Sequence, residues 1–372
     1  MANLQKSAVI HIGHPKTGSS FLQVCFAKNA NALNQYGWNY PNHPNSKEAL
    51  KDLPTTGNGS LLLDENYLLN ISNLGSFNDK SLSVFYSDET LCMTLSNNKQ
   101  KRELIINTFK ELGFRLVFVM YTRNFFEHSL SAWGQTIKNG NATDSYYKRM
   151  INPQSNNEYI IHERILKWIK FSNEEDFDLK IFNYDKHANN LFDHFCKNIL
   201  KIQENLSFQI PNKIINKSLG ADDHEILRLL KSSLSKFPVK YKLKDSKTFK
   251  HLKKTLLKNS AETSALASLT KSQHEEIIDK YTKIISDINK SEIINEKISL
   301  TEYENLKVEQ KPNLIFSDNK LEIIFKSLSE TLKKLGPDDV YEKNAIQDVV
   351  KIIKTNSSER YQKLIKNFPA NI

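Results

Sequence analysis

The segment "AVIHIGHPKTGSSFLQ" (8–23) constrains the fold more than any other. The apolar run Ala8 to Ile12 stops at Gly13, and after a short loop Phe21, Leu22, Cys25 and Phe26 recur with the spacing of one helix face. A buried strand that feeds a glycine loop and then a helix is the first half of a βαβ unit. It commits the chain to an α/β architecture.

The next 200 residues keep that alternation. "SLSVFYSDE" (81–89) is a second short strand with acidic residues at its end, and "KQKRELIINTFKELG" is a helix stopped by Gly113. "RLVFVMYTR" (115–123) is nearly continuous in apolar residues, as a central parallel strand covered on both faces must be. Phe126, Leu130, Trp133 and Ile137 then mark one face of a helix ending at Gly140, "YIIHERILKWIKF" is helical, and "DLKIFNYD" (178–185) is a further strand. Beyond about residue 215 strand signals thin out and Lys/Glu/Leu/Ile patterns predict helices. The expected organisation is a parallel sheet flanked by helices over 1–215, a helical part over 216–300 completing the core, and a helical extension over 301–372.

The loop at 13–20 has the makings of an anion site, because free amides at a helix N-terminus and the helix dipole both favour negative charge. Gly13 and Gly18 keep the spacing of a nucleotide-binding G-x-x-x-x-G-K-[ST] loop, but Ser19 and Ser20 follow where Lys and Ser/Thr belong. The lysine stands earlier, at Lys16. There it can lie beside a bridging oxygen and stabilise the charge that develops as that oxygen leaves.

On these residues the chain resembles the sulfotransferases that use PAPS (3′-phosphoadenosine 5′-phosphosulfate). Pro15, Lys16, Thr17, Gly18, Ser19, Ser20 and Leu22 fall on the family's 5′-phosphosulfate pattern P-K-[TS]-[GA]-[TS]-[TS]-x-L, and Gln23 and "YGWNYP" (36–41) look closer to its bacterial, glycan-type branch. In "TRNFFEHSLSAW", Arg123, Asn124, Glu127, Ser131 and Trp133 match the family's 3′-phosphate pattern, with Phe125 in place of its usual Pro. The resemblance implies a sheet like that of the nucleotide kinases and transfer of a sulfuryl group from PAPS to a hydroxyl or amine. Donor contacts would come from Lys16, Thr17, Gly18, Ser19, Ser20, Arg123 and Ser131, and no metal would be required. The segment "NKSLG" (216–220) falls where relatives close over the donor, so Lys217 or Lys213 would reach the 3′-phosphate.

A base for the acceptor proton is needed as well. Glu89 or Asp88, at the end of a strand, could face the acceptor, with Glu89 the first candidate; the alternative reading is that one of the two caps the following helix. His43 in "YPNHPN" is the second candidate, His11 reads as a buried structural residue, and His14 lies inside the donor loop.

Fifty-two Lys and Arg against 42 Asp and Glu give a net charge of +10, which favours an anionic partner. Nine lysines against one acid lie between Lys236 and Lys258, a run that reads as a solvated helix face or a surface for an anionic glycan or membrane headgroups. Cys25, Cys92 and Cys196 suggest reduced thiols, and neither a secretory leader nor a run of roughly 20 apolar residues is present, so a cytoplasmic location is expected. The expected acceptor is a carbohydrate or glycolipid, not nucleic acid. Two other classes stay open: an ATP-dependent P-loop kinase, and a noncatalytic polyanion-binding protein on the same fold.

Overall fold

Five parallel strands form the sheet in a computed structural model of the chain, which describes residues 6–44, 46–74, 83–140, 143–152, 162–203, 207–211, 219–236, 246–259, 269–300 and 318–355. The strands are β1 (Ser7–His11), β2 (Trp38–Asn39), β3 (Ser83–Ser87), β4 (Arg115–Thr122) and β5 (Asp178–Asn183), in the order β2-β3-β1-β4-β5. The chain divides into two compact units. The first comprises Met1–Ser129, Ile160–Asn216 and Tyr281–Leu300, and the second Leu130–Tyr159, Lys217–Lys280 and Thr301–Ile372.

In the first unit β1 pairs with β3 on one side (Ala8 with Val84) and β4 on the other (Ala8 with Leu116). The chain leaves β1 for the edge strand β2, returns through β3 and crosses β1 to reach β4. The loop after β1 therefore lies at the centre of the carboxyl edge, where the strand order reverses and open α/β sheets bind ligands. The sheet is apolar on both faces because helices cover both. On one face Val9, Phe85 and Val119 meet Leu22 and Phe26 of α1 (Ser19–Lys28), and on the other Phe118 packs against Trp168 with ring centroids 5.0 Å apart.

Two further helices of this unit are α2 (Lys99–Glu111) and, after β4 and α3 (Phe125–Lys138), α4 (His162–Glu174). Arg102 of α2 forms a bidentate pair with Glu175, Nη2 to Oε1 being 2.6 Å, and its guanidinium lies 3.7 Å from the Phe171 ring centroid. Helix α3 begins in the first unit and continues into the second from Leu130. Phe125, which stands where the resembling family has Pro, is fully buried. Its ring packs on Tyr281 at 4.5 Å, and its amide donates to the Ser299 carbonyl, a bond proline could not make.

The second unit is helical among the described residues. It contains the rest of α3, then α5 (Ala221–Leu234), α6 (Lys247–Lys258) and the start of α7 (Lys271–Asn289), and finally α8 (Asp318–Leu332) and α9 (Val340–Thr355). Buried Glu342 of α9 accepts the amides of Lys247 and Thr248, so it closes the N-terminus of α6 where the helix dipole favours a carboxylate. Helix α6 carries the described end of the lysine run. Phe249, Leu252 and Leu256 are buried while Lys250, Lys254 and Lys258 are exposed, which is the solvated-face arrangement; residues 237–245 of the run lie outside the described residues.

Candidate functional site

The loop between β1 and α1 takes its shape from three left-handed residues: Gly13 (φ 58°), Lys16 (φ 70°) and Gly18 (φ 77°). Both glycines are required by space as well as by φ. A Cβ on Gly13 would stand 2.4 Å from the Glu89 Cα, and one on Gly18 would stand 2.5 Å from Leu191 Cδ2. Lys16 has no such licence, and a non-glycine residue held left-handed is strained by about 1 kcal/mol or more. The loop keeps that strain by internal bonding: the Thr17 hydroxyl donates to the His14 carbonyl at 2.5 Å.

Helix α1 starts at Ser19 with no side-chain cap and no acid in its first turn. Its first amides are thus not occupied by a capping oxygen, and the buried Ser19 hydroxyl has no partner among the described residues. Thr17 is buried, and Lys16, Gly18 and Ser20 are half-buried. This is the chemistry of a site for a phosphate or sulfate group.

Glu89 and Asp88 leave the end of β3 next to this loop, the Asp88 amide donating to the His11 carbonyl at 3.0 Å. The two acids have different jobs. Asp88 Oδ1 accepts the Thr90 amide (2.7 Å) and the Thr90 hydroxyl (2.8 Å), so it takes the capping role in the turn that follows. Glu89 is half-buried beside Lys16. Burial holds its carboxyl above the usual carboxylate range, the Lys16 ammonium partly offsets that, and Asp88 adds to it. A carboxylate raised in this way is suited to take up a proton.

His43 reaches the same edge through Ser60, whose hydroxyl is 3.1 Å from His43 Nε2, and Ser60 follows Gly59, which is packed against Asp88. Burial lowers the His43 pKa and the Asp88 carboxylate partly restores it.

Arg123 emerges one residue beyond β4. Its Nη1 donates to the Lys16 carbonyl at 3.4 Å, a long bond that nonetheless joins residues 107 apart in sequence. Nε donates to Asp185 Oδ1 at 3.0 Å, and Nη2 to Glu127 Oε2 at 3.2 Å. Asp185 also accepts the Asn124 amide at 2.7 Å, fixing the turn into α3. The Asp185 pair sets the Nε edge of the guanidinium and turns the other edge toward the loop and the part-exposed Glu127.

Lys16, Thr17, Gly18, Ser19, Ser20, Glu89 and Arg123 therefore meet at one end of the sheet, with His43 behind Ser60. Ser131 is half-buried on α3 and belongs to the second unit. Lys213 and Lys217 lie outside the described residues. His11 is buried with its Nδ1 2.8 Å from the Ser87 hydroxyl, as a structural histidine would be.

Sequence reasoning missed four contributors: Asp185, Ser60, His128 and His162. The first lies on the expected last strand but just past its observed end. The other three carry no spacing that marks them, because long-range folding alone brings them to the loop. Compared with protein-family models, curated proteins and solved structures, the chain matches none.

Proposed function

We propose that the chain is a PAPS-dependent sulfotransferase with the P-loop, nucleotide-kinase-like fold of that family. The observation that carries this reading is the meeting of two separate motif matches: the Lys16 loop and Arg123 occupy neighbouring positions at the carboxyl edge, joined by the Arg123 to Lys16 hydrogen bond. A kinase loop would need its lysine after Gly18, where this chain has Ser19 and Ser20.

In this reading the α1 amides and the hydroxyls of Thr17, Ser19 and Ser20 hold the 5′-phosphosulfate. Arg123 holds the 3′-phosphate. Glu127, itself part-exposed, gives way to the phosphate while Asp185 keeps the guanidinium oriented. Glu89 takes the proton of the acceptor hydroxyl as its oxygen attacks sulfur; the bond from sulfur to the bridging oxygen breaks, and adenosine 3′,5′-bisphosphate leaves with its new charge against Lys16. His43, within reach through Ser60, is the second candidate for the base. The polar edge formed by His43, Ser60 and Glu89 suits a polyhydroxylated acceptor such as a carbohydrate or glycolipid.

Thermal denaturation separates the classes. Adenosine 3′,5′-bisphosphate at about 100 times its Kd is expected to add about 2.7 kcal/mol, a rise of several degrees, with ATP and magnesium adding little. Stabilisation by ATP and magnesium alone would establish the kinase reading instead, and no response to either would favour a noncatalytic binding protein.

Arg123→Ala tests the donor's orientation. It should weaken adenosine 3′,5′-bisphosphate by roughly 10- to 100-fold, the range of a charge-assisted hydrogen bond, and its 3′-hydroxyl analogue by much less. An equal loss for both nucleotides in titration calorimetry would reduce Arg123 to a structural tie.

A further inference from the structure

Behind the donor loop, three histidines pack ring to ring. His14 lies 4.2 Å from His128 and 5.9 Å from His162, and His128 lies 5.5 Å from His162, centroid to centroid. All three are within 1% of complete burial. Among the described residues no group of three His, Cys, Asp or Glu is arranged to hold a metal ion.

Two of the rings have a determined tautomer. His128 Nε2 lies 3.1 Å from the Pro15 carbonyl and His162 Nε2 lies 3.4 Å from the Arg123 carbonyl. A carbonyl only accepts, so in both rings Nε2 carries the proton and Nδ1 is bare. Each bare Nδ1 is buried without a hydrogen-bond partner among the described residues, as are both nitrogens of His14. The two carbonyls are significant: one precedes Lys16, and the other belongs to Arg123. The histidines thus grip the backbone at the two places that present the donor-binding cations.

The charged groups around the cluster point one way. Arg123, Arg164 and Lys16 act on it from β4's exit, α4 and the loop, and the other histidines add to them, while burial dominates. A proton on any ring would place a fourth cation among three. The rings are therefore held neutral through the range in which histidines usually titrate, and their N–H donors persist.

We propose that His128, seconded by His162, is a positioning residue for the donor site: its Nε2–H fixes the Pro15 carbonyl, and through it the left-handed backbone that carries both Lys16 and the phosphate-facing amides of the loop. This rests on the reading of residues 13–20 as the donor loop. Sequence alone gives His128 no role, since it occupies an unspecified position between Glu127 and Ser131 of the matched pattern.

His128→Phe keeps a ring and removes the donor, whereas His128→Gln keeps an N–H near the Nε2 position. The Phe variant should bind adenosine 3′,5′-bisphosphate about tenfold more weakly, as the hydrogen bond that holds the half-buried Pro15 end of the loop is lost, and the Gln variant within about threefold of the unaltered protein. Equal affinity in the Phe variant and the unaltered protein would overturn the inference while leaving the donor reading intact; no binding by the unaltered protein would overturn both. If the Phe variant does not fold, His128→Asn, whose shorter amide cannot reach Pro15, replaces it with the same expected loss. An independent readout needs no ligand: the imidazole nitrogen signals of His128 in the unaltered protein should show a single Nε2–H tautomer that does not titrate between about pH 5.5 and 8. Titration within that range would also overturn the inference.

Discussion

If the chain is the sulfotransferase proposed above, Lys16→Ala should slow sulfuryl transfer by about 10²- to 10³-fold, while affinity for adenosine 3′,5′-bisphosphate changes less than tenfold. The first figure is the usual effect of removing one group aimed at charge that develops in the transition state. The asymmetry follows from where that charge appears. In the bound donor the bridging oxygen carries little charge, and only as its bond to sulfur breaks does a full oxyanion form against the ammonium, so the interaction lowers the barrier more than it tightens binding.

The backbone makes this substitution unusually clean. Lys16 is left-handed at φ 70°, and alanine suffers there as lysine does, so the loop's strain is unchanged and a lost rate reports the lost amine. Lys16→Gly would relax the loop and confuse the two effects. Loss of the ammonium also acts on Glu89, whose carboxyl is raised by burial and lowered by Lys16. In the variant Glu89 should titrate higher, and the residual rate should reach its plateau at a higher pH. Transfer of a radiolabelled sulfuryl group from PAPS to acceptors in an extract of the native cells measures both quantities. Undiminished transfer would remove Lys16 from the mechanism.

The parts of this protein that could be read in its sequence are those governed by local periodicity. β1, β3 and β4 fall on the apolar runs that announce them, because a strand covered on both faces must be largely apolar, and the edge strand β5 falls on the partly polar "DLKIFN". β2 was not legible: Trp38–Asn39 is only two residues long, too short to show a period, and exists because it pairs with β3. The boundaries also shifted for physical reasons. Asp88 and Glu89 lie past the end of β3, where Asp88's bonds to Thr90 turn the chain, and Arg123 lies past β4.

At the candidate site, Lys16, Arg123 and Glu89 could be singled out in the sequence because each stands at the end of a strand or in the loop after one, where open parallel α/β sheets bind ligands. The supporting groups were hidden for the opposite reason. Asp185, Ser60, His128 and His162 act on residues 17 to 113 positions away, and nothing local distinguishes them from ordinary surface or core residues. The α3 stripe shows the same limit. Phe126, Trp133 and Ile137 are buried as their spacing predicts and Leu130 is half-buried, but Phe125, His128, Ser129 and Thr136 are buried too, so burial on this helix extends beyond one stripe.

Mild acid is expected to destabilise the protein far more than its composition suggests. Five of its histidines are buried and held neutral in the first unit: His11 is pushed down to about 3, His162 and His194 to about 4, and His14 and His128 well below the ordinary value near 6.5, in each case chiefly by burial. In the unfolded chain each takes up a proton as the pH falls through 6.5, whereas the folded chain does not until far lower. Between about pH 6.5 and 4 the unfolded state thus binds more protons, and stability rises with pH by up to about 1.4 kcal/mol per unit for each such group.

From pH 7 to 5.5 the five together imply a loss on the order of 5 kcal/mol, comparable with the whole stability of many domains. Asp88 and Glu89 act in the opposite direction, since burial raises both carboxyls and the folded state holds their protons more tightly, but their window opens lower, near and above the ordinary carboxylate values. Urea unfolding at pH 7 and 5.5 is the direct measurement, and equal midpoints would show that the buried rings can be charged in place. His194→Gln sharpens the test. His194 Nδ1 lies 2.7 Å from the Tyr121 hydroxyl, a bond either partner can donate depending on the tautomer of the neutral ring, and its ring stacks on His187 at 3.6 Å. A glutamine amide can take either part in the same bond but takes up no proton on unfolding, so the pH slope of stability should fall by about one proton's worth while stability at pH 7 changes little.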